Sequence, residues 1–388
     1  MAILRTLAVS CALLAGADAL AKDAQIDFVS ADGPDRTCPQ FRDAQPGKLR
    51  GDADRVAFAI CNAIDMVREV ATRFRSFQSQ DKKPDNSFVD ELRKRLERVQ
   101  ARIRASRIAL EGVKGAGPFF AIRPGEWAID WDGDGTISVT EKYLLWVPKR
   151  GVDAFRAQAR FASEAAYHEE QFVSPRIKVD QSDIYWAIAY CQFAEVMLNL
   201  VLSYEVNLGQ GFEVRLKDAA RISKVAYRNV LEGIRASGKL RESLLKETDD
   251  DDEWIPSPRQ VKTSFPLLMD PQTFTTWAQL LGHMEKLFRG KTLLGGAVSS
   301  QEFGNVRDLA GGICRPSEGI DVKSLFTNPI RLPLSEEGLK SRCVMPTPAR
   351  PMTGLAKMIA ESARRNAGRT PESFSGEWMI LRHFYWVN

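Results

Sequence analysis

The chain has 388 residues, 44% of them hydrophobic and 27% charged, with 54 Lys and Arg against 50 Asp and Glu for a formal charge of +4. A balance this close to neutral excludes a dedicated nucleic-acid binder, which needs a concentrated basic face. The length suffices for two domains or one large one.

Residues 1–21 read as a secretory signal, with Arg5 as the charged start, residues 7–14 as the apolar stretch and Ala19-Leu20-Ala21 as the small-residue cleavage site. Cleavage after Ala21 delivers the chain to the periplasm or the medium. Cys11, following Ala8-Val9-Ser10, offers a lipoprotein alternative, which the very short apolar run before it disfavours. No later segment reads as a membrane span. Residues 185–202 are the most apolar, yet Gln192, Glu195 and Asn199 interrupt them.

Five cysteines lie beyond the signal: Cys38, Cys61, Cys191, Cys314 and Cys343. In an oxidising compartment their order suggests Cys38–Cys61 and Cys314–Cys343, each closing a loop worth about 3–4 kcal/mol on a chain-entropy estimate. Sequence does not fix connectivity, so other pairings stay open. Cys191 falls in the apolar stretch and reads as a buried thiol.

Residues 22–50, rich in Asp, Pro and Gly, form an irregular lead-in pinned by Cys38. A helical domain is expected over residues 51–247. It opens with Ile60, Ile64, Val67, Ala71 and Phe74 at helical spacing, then Leu92, Leu96, Val99, Ile103 and Leu110. Asp81-Lys82-Lys83-Pro84-Asp85-Asn86 is the turn between them, so the two helices predict an antiparallel hairpin. The second carries Arg93, Lys94, Arg95, Arg98, Arg102, Arg104 and Arg107. Residues 93–107 can meet anionic glycans or a membrane surface; a solvated helix face is the plainer expectation.

After a glycine-rich connector comes Asp130-Trp131-Asp132-Gly133-Asp134-Gly135-Thr136-Ile137-Ser138-Val139-Thr140-Glu141. Ca²⁺ takes six to eight oxygens, and this run supplies them in order. Asp130, Asp132 and Asp134 stand at loop positions 1, 3 and 5. Thr136 offers a carbonyl, Ser138 a hydroxyl or a bridging water, and Glu141 a bidentate carboxylate. Gly135 sits where the chain must bend, and Ile137 is apolar as if directed into a core. The twelve residues resemble the EF-hand calcium loop at every ligand position. The flanks depart from that pattern, since Pro124-Gly125 breaks the entering segment and Pro148 stops the leaving one. No paired second loop exists: Asp249-Asp250-Asp251-Asp252-Glu253 has charge but neither the glycine nor the distal Glu. The resemblance therefore implies a bound Ca²⁺ acting as a structural clamp rather than a sensor.

Residues 154–172 predict a helix. Residues 183–207 predict the central one, on which Gln192, Glu195, Asn199 and Ser203 share a face: a ligand-cavity lining with Glu195 as its only carboxylate is one reading, and a solvated face is the plainer expectation. Residues 216–235 predict a further helix and residues 240–247 two more turns. The acidic, Pro-containing stretch 248–258 reads as a linker. In the C-terminal region, residues 259–388, Phe274, Trp277, Leu281, Met284 and Phe288 mark a helix closed by Gly290. An irregular, disulfide-tied stretch follows, with a helix at 355–365 and an aromatic end at 378–387. The fold class expected is mainly α: a helical bundle or stacked helical hairpins, an EF-hand-like calcium loop and an irregular C-terminal third.

Catalytic signatures are missing. There is no Gly-x-Ser-x-Gly elbow, and His168-Glu169-Glu170 lacks the second histidine of a zinc helix. Gly290-Lys291-Thr292 has Glu285 where a phosphate loop needs its first glycine. His168, His283 and His383 are far apart in sequence. The expected function is thus a non-catalytic binding or scaffolding role toward an envelope protein or glycan. The alternative is a calcium-stabilised periplasmic enzyme acting on glycans or peptidoglycan, motivated by Trp127, Trp131 and Trp146 near the loop.

Overall fold

The computed structural model describes residues 26–78, 85–149, 170, 172–209, 213–248, 253–260, 271–295, 313–315, 317–331, 336–355 and 358. The signal segment with Cys11, residues 154–169 of the helix expected over 154–172, His168, His383, Asp249 to Asp252 and the end of the chain beyond Met358 lie outside them; Phe172, the expected end of that helix, is instead in a strand.

The chain is mainly α. Its long helices are α1 (Asp52–Gln78), α2 (Asn86–Glu111), α3 (Gln181–Leu202), α4 (Tyr227–Leu244) and α5 (Pro271–Phe288). Each runs antiparallel to the one before, as their cross-links show. Asn62 of α1 reaches Ser106 of α2 at 3.2 Å, and Glu69 reaches Arg98. Asn199 of α3 meets Gln100 of α2, and Glu195 meets Asn229 of α4. Ser237 of α4 accepts from the Trp277 indole of α5 at 3.2 Å, while Arg241 donates to the Phe274 carbonyl.

The apolar stripe expected on α1 is buried only in its first half. Of the stripe, Ile64 is buried and Ile60 half-buried, whereas Val67 is 42% exposed; beside it Val56, Ala57, Phe58 and Cys61 are buried and Val70 is 60% exposed. On α2, Asp85 caps the N-terminus by accepting from the Phe88 amide at 3.0 Å. Its arginines are more than a solvated face. Arg93 donates to the carbonyls of Leu202, the last residue of α3, and of Tyr204 beyond it, Arg98 pairs with Glu69, and Arg107 enters the interior to meet Glu195.

A second correction concerns α3. Gln192, Glu195, Asn199 and Ser203 are not its solvated side: all four are buried, while Met197 and Val201 of the same helix are 62% and 55% exposed. The reason is partnership. Residues of α2 and α4 supply hydrogen bonds to the stripe, so burying it costs less than the composition suggests. By length and composition α3 is the described helix that could cross a membrane, but its polar stripe is committed to these contacts.

The helix expected from residue 216 starts later. Glu213–Leu216 is strand β6, paired with β5 (Tyr204–Asn207), and a π-helical turn over Arg221–Ala226 leads into α4. The two turns expected after residue 240 continue α4 without a break to Leu244. Within the expected linker, Ile255 is buried in one core cluster with Leu240 and Leu244 before it and Phe274 and Trp277 after it. Helix α5 closes as predicted: Gly290 adopts φ 70°, and the Lys291 amide donates to the Lys286 carbonyl.

Both expected disulfides form, Cys38–Cys61 and Cys314–Cys343. They fit an extracellular or periplasmic protein. The first pins the lead-in, where Phe28 is wholly buried, against α1. The second ties the C-terminal region through β7 (Gly319–Ile320) and β8 (Cys343–Val344). Two further antiparallel ladders bracket the acidic loop: β1 (Phe120–Ile122) with β4 (Ile177–Val179), and β2 (Val147–Pro148) with β3 (Phe172–Val173).

Candidate metal centre

The loop is delivered by an extended segment, not by a helix. Trp127, Ile129 and Trp131 alternate with Ala128 and Asp130, and the first three are buried while Ala128 faces solvent. That period of two is the pattern of a strand-like segment. The lead-in fixes it: the Trp127 indole donates to the Phe28 carbonyl and the Ala128 amide to the Ala31 carbonyl, both at 2.9 Å. With Trp131 held in the core, Asp130 and Asp132 on either side point the other way.

Asp130, Asp132 and Asp134 gather one carboxylate oxygen each within 4.8 Å of one another. The backbone wraps around them. Asp130 accepts from the Gly133, Asp134 and Gly135 amides at 2.7, 3.2 and 2.8 Å. Asp132 accepts from the Asp134 amide, and Asp134 from the Thr136 amide and hydroxyl. Gly133 and Gly135 make the bend with φ of 73° and 88°, values that a side chain disfavours.

Ser138 and Glu141 form a capping box on the short helix Val139–Lys142. The Glu141 carboxylate accepts from the Trp131 and Asp132 amides at 2.7 and 3.0 Å through one oxygen, and from the Ser138 amide and hydroxyl through the other. Burial works to raise its pKa, but these hydrogen bonds outweigh burial and lower it below the ordinary carboxylate value. Glu141 thus ties the two ends of the loop, and it stands outside the three-aspartate group. Ile137 does not enter a core; it is 46% exposed. Chemically, the arrangement offers a hard cation a concentrated set of anionic oxygens on one small turn.

Trp127 and Trp131 are buried, and the half-buried Trp146 donates its indole N–H to the Gly125 carbonyl at 2.7 Å. His283 lies elsewhere, bonded to the Thr353 hydroxyl at 3.1 Å, with its pKa lowered by burial and by Lys286.

A second acidic group escaped the sequence reading because its members are distant in the chain. Asp180, Asp183 and Glu253 bring carboxylate oxygens within 4.8 Å at the N-terminal end of α3. The flanks of the acidic loop also do something the letters hide. Ile122 and Pro124 before it, and Leu145 and Val147 after it, stand in the wall of one cleft. Comparison with family models, curated proteins and solved structures finds no match to this chain.

Proposed function

We propose that this is an exported calcium-binding protein with a non-catalytic binding or scaffolding role, built on stacked antiparallel helices. Ca²⁺ at Asp130, Asp132 and Asp134 serves as a structural clamp, with the Thr136 carbonyl, Ser138 and Glu141 completing the shell. The observation that carries this reading is the convergence of the three aspartates around the Gly133–Gly135 bend, in EF-hand order. The clamp reading draws support from the flanks. The leaving helix is four residues long and the entering segment is extended, so neither offers a long helix to swing open. The export reading draws support from the two disulfides.

Calorimetry with Ca²⁺ and Mg²⁺ tests the proposal. Extracellular calcium modules commonly show dissociation constants on the order of 10⁻⁴–10⁻³ M. At about ten times that constant, mass action adds roughly 1.4 kcal/mol of stability, enough to raise Tm by a few degrees. Asp130→Asn should weaken the heat, with loss of the hydrogen bond that the Gly135 amide donates to one carboxylate oxygen. No heat at millimolar calcium, or equal affinity for magnesium, overturns the assignment; a large change in helicity on binding replaces the clamp by a sensor.

A further inference from the structure

We propose that the cavity between α2, α3 and α4 binds a single sugar residue of a glycan, with Gln192 as the acceptor that seats it. The inference deepens the binding role proposed above and makes no use of calcium. The cavity measures about 250 Å³ and runs from Leu110 and Glu111 at the end of α2, past Ile188 and Gln192 of α3, to Glu232 and Lys239 of α4. At organic packing density it takes one hexose ring and not a pair.

Gln192 stands in the cavity wall and is 3% exposed. Its Nε2 donates to Glu111 Oε1 at 3.3 Å, and its Oε1 accepts no hydrogen bond among the described residues. Exchanging the two ends of the amide does not relieve this. The Glu111 carboxylate accepts from Arg107 at 2.9 and 3.1 Å, so an amide oxygen turned toward it would be repelled. Of the polar stripe on α3, Gln192 is the described member that keeps an unmet atom, a cost that folded proteins seldom carry without a use. Its bond to Glu111 is long and the amide turns softly about its last torsion, so Oε1 can be presented to a donor in the cavity.

The class of ligand follows from the rest of the wall. The carboxylates in it are compensated, Glu111 by Arg107 and Glu232 by Arg235, so neither draws an ammonium group strongly. Lys114 and Lys239 stand exposed, where water and salt screen their charge. What remains is a ring of lone pairs and N–H donors, and a hydroxyl group meets both. Leu110, Val113 and Ile188 supply an apolar side that suits the C–H face of a sugar ring.

Saturation-transfer NMR on the full chain, with the methyl glycosides of glucose, galactose and N-acetylglucosamine, tests this once in calcium and once in EDTA. At least one sugar should show transfer in both, and its calorimetric titration should be one-to-one. Gln192→Met should weaken that sugar about fivefold while its Tm equals or exceeds the parent's, because an unmet buried acceptor has been removed. A glutamine with a structural role alone would give the reverse, a lower Tm and unchanged binding. Lys239→Ala, at the exposed mouth, should weaken the same sugar about threefold and keeps the test open if the first variant fails to fold. No transfer from any of the three sugars, which leaves water alone to meet Gln192, overturns the proposal. So does binding undiminished in the folded variants, or a titration in which free glutamate binds and no sugar does. A silent calcium titration beside intact sugar binding removes the calcium reading alone; intact calcium binding without sugar binding removes this inference alone.

Discussion

Arg107 of α2 reaches across to Glu195 of α3, its Nε 2.5 Å from Oε1, where both side chains are nearly excluded from solvent. Burial works against the arginine's charge, but hydrogen bonds to Glu195 and Glu111 outweigh it and raise its pKa further. Asn229 of α4 donates to the second Glu195 oxygen at 3.0 Å, so one carboxylate joins three helices. One helical turn along, Asn199 accepts from Gln100 and donates to the Glu195 carbonyl. This polar seam fixes which face of α3 meets α2, a choice its apolar composition leaves open.

Breaking the pair on one side should therefore be costly. Arg107→Met leaves Glu195 charged and buried, and is expected to cost about 3–5 kcal/mol in urea unfolding. Glu195→Gln keeps an acceptor for Arg107 and leaves it the Glu111 partner, so about 1–2 kcal/mol is expected. The double variant Arg107→Met, Glu195→Leu should recover much of the larger loss, since no charge is then stranded. Additive losses would show that the two side chains do not act as a pair.

Glu141, besides its place in the proposed shell, ties the loop without any metal, whereas Asp132 does little for the apo loop. In EDTA, Glu141→Gln turns an amide NH₂ toward the Ser138 donors and should cost about 1–3 kcal/mol without any metal. Asp132→Asn keeps an oxygen for the Asp134 amide and should change stability in EDTA by less than about 0.5 kcal/mol. With calcium added, Asp132→Asn should show a smaller rise in Tm than the parent. A Glu141→Gln protein as stable as the parent in EDTA would sink the tie assigned to that carboxylate.

Much of this was legible in the letters because it is periodic or local. The spacings of Ile60, Ile64, Phe274, Trp277 and Leu281 gave helices, and Gly290 gave a helix end where the chain has one. The disulfide pairs followed from order along the chain. What failed were relationships at long range. Gln192, Glu195 and Asn199 look the same in sequence whether water or another helix satisfies them, and their partners lie between 34 and 99 residues away. The alternation of Trp127, Ile129 and Trp131 was present but short, and it is what aims the aspartates outward. Asp180, Asp183 and Glu253 meet only because α3 and the segment after α4 fold together.

Asp27 should govern part of the acid limb of stability. The Ser30 hydroxyl is the main influence lowering its pKa to about 2; burial opposes this, while the Ser30 and Val29 amides and Arg36 reinforce it. The folded value lies below the unfolded one near 3.9, so the contribution is complete above pH about 4 and fades as pH falls through about 2. Asp27→Asn should lose on the order of 1–2 kcal/mol at pH 7, allowing for partial exposure of the site. Urea midpoints of the two proteins should converge near pH 2. A gap that stays constant down to that pH would show that the ionised carboxylate is not the source.

Asp183 should act in the opposite sense. Burial is the main cause that pushes its pKa well above the ordinary carboxylate value, the charges of Asp180 and Glu247 push the same way, and the Asp180 amide opposes them. Below pH about 4 the group is protonated in both states and contributes no pH dependence. As pH rises, the unfolded chain releases this proton first while the folded chain keeps it. The folded state then binds more protons than the unfolded one, and stability falls until the folded pKa is passed. Asp183→Asn removes that titration yet keeps an oxygen to accept from the Asp180 amide, which preserves the cap on α3. The variant should therefore gain on the parent steadily from pH about 4 toward neutrality, read as a growing difference in urea midpoint. Parallel pH profiles for the two proteins would mean that Asp183 ionises as readily in the fold as out of it, and that its burial beside Asp180 and Glu247 carries no cost.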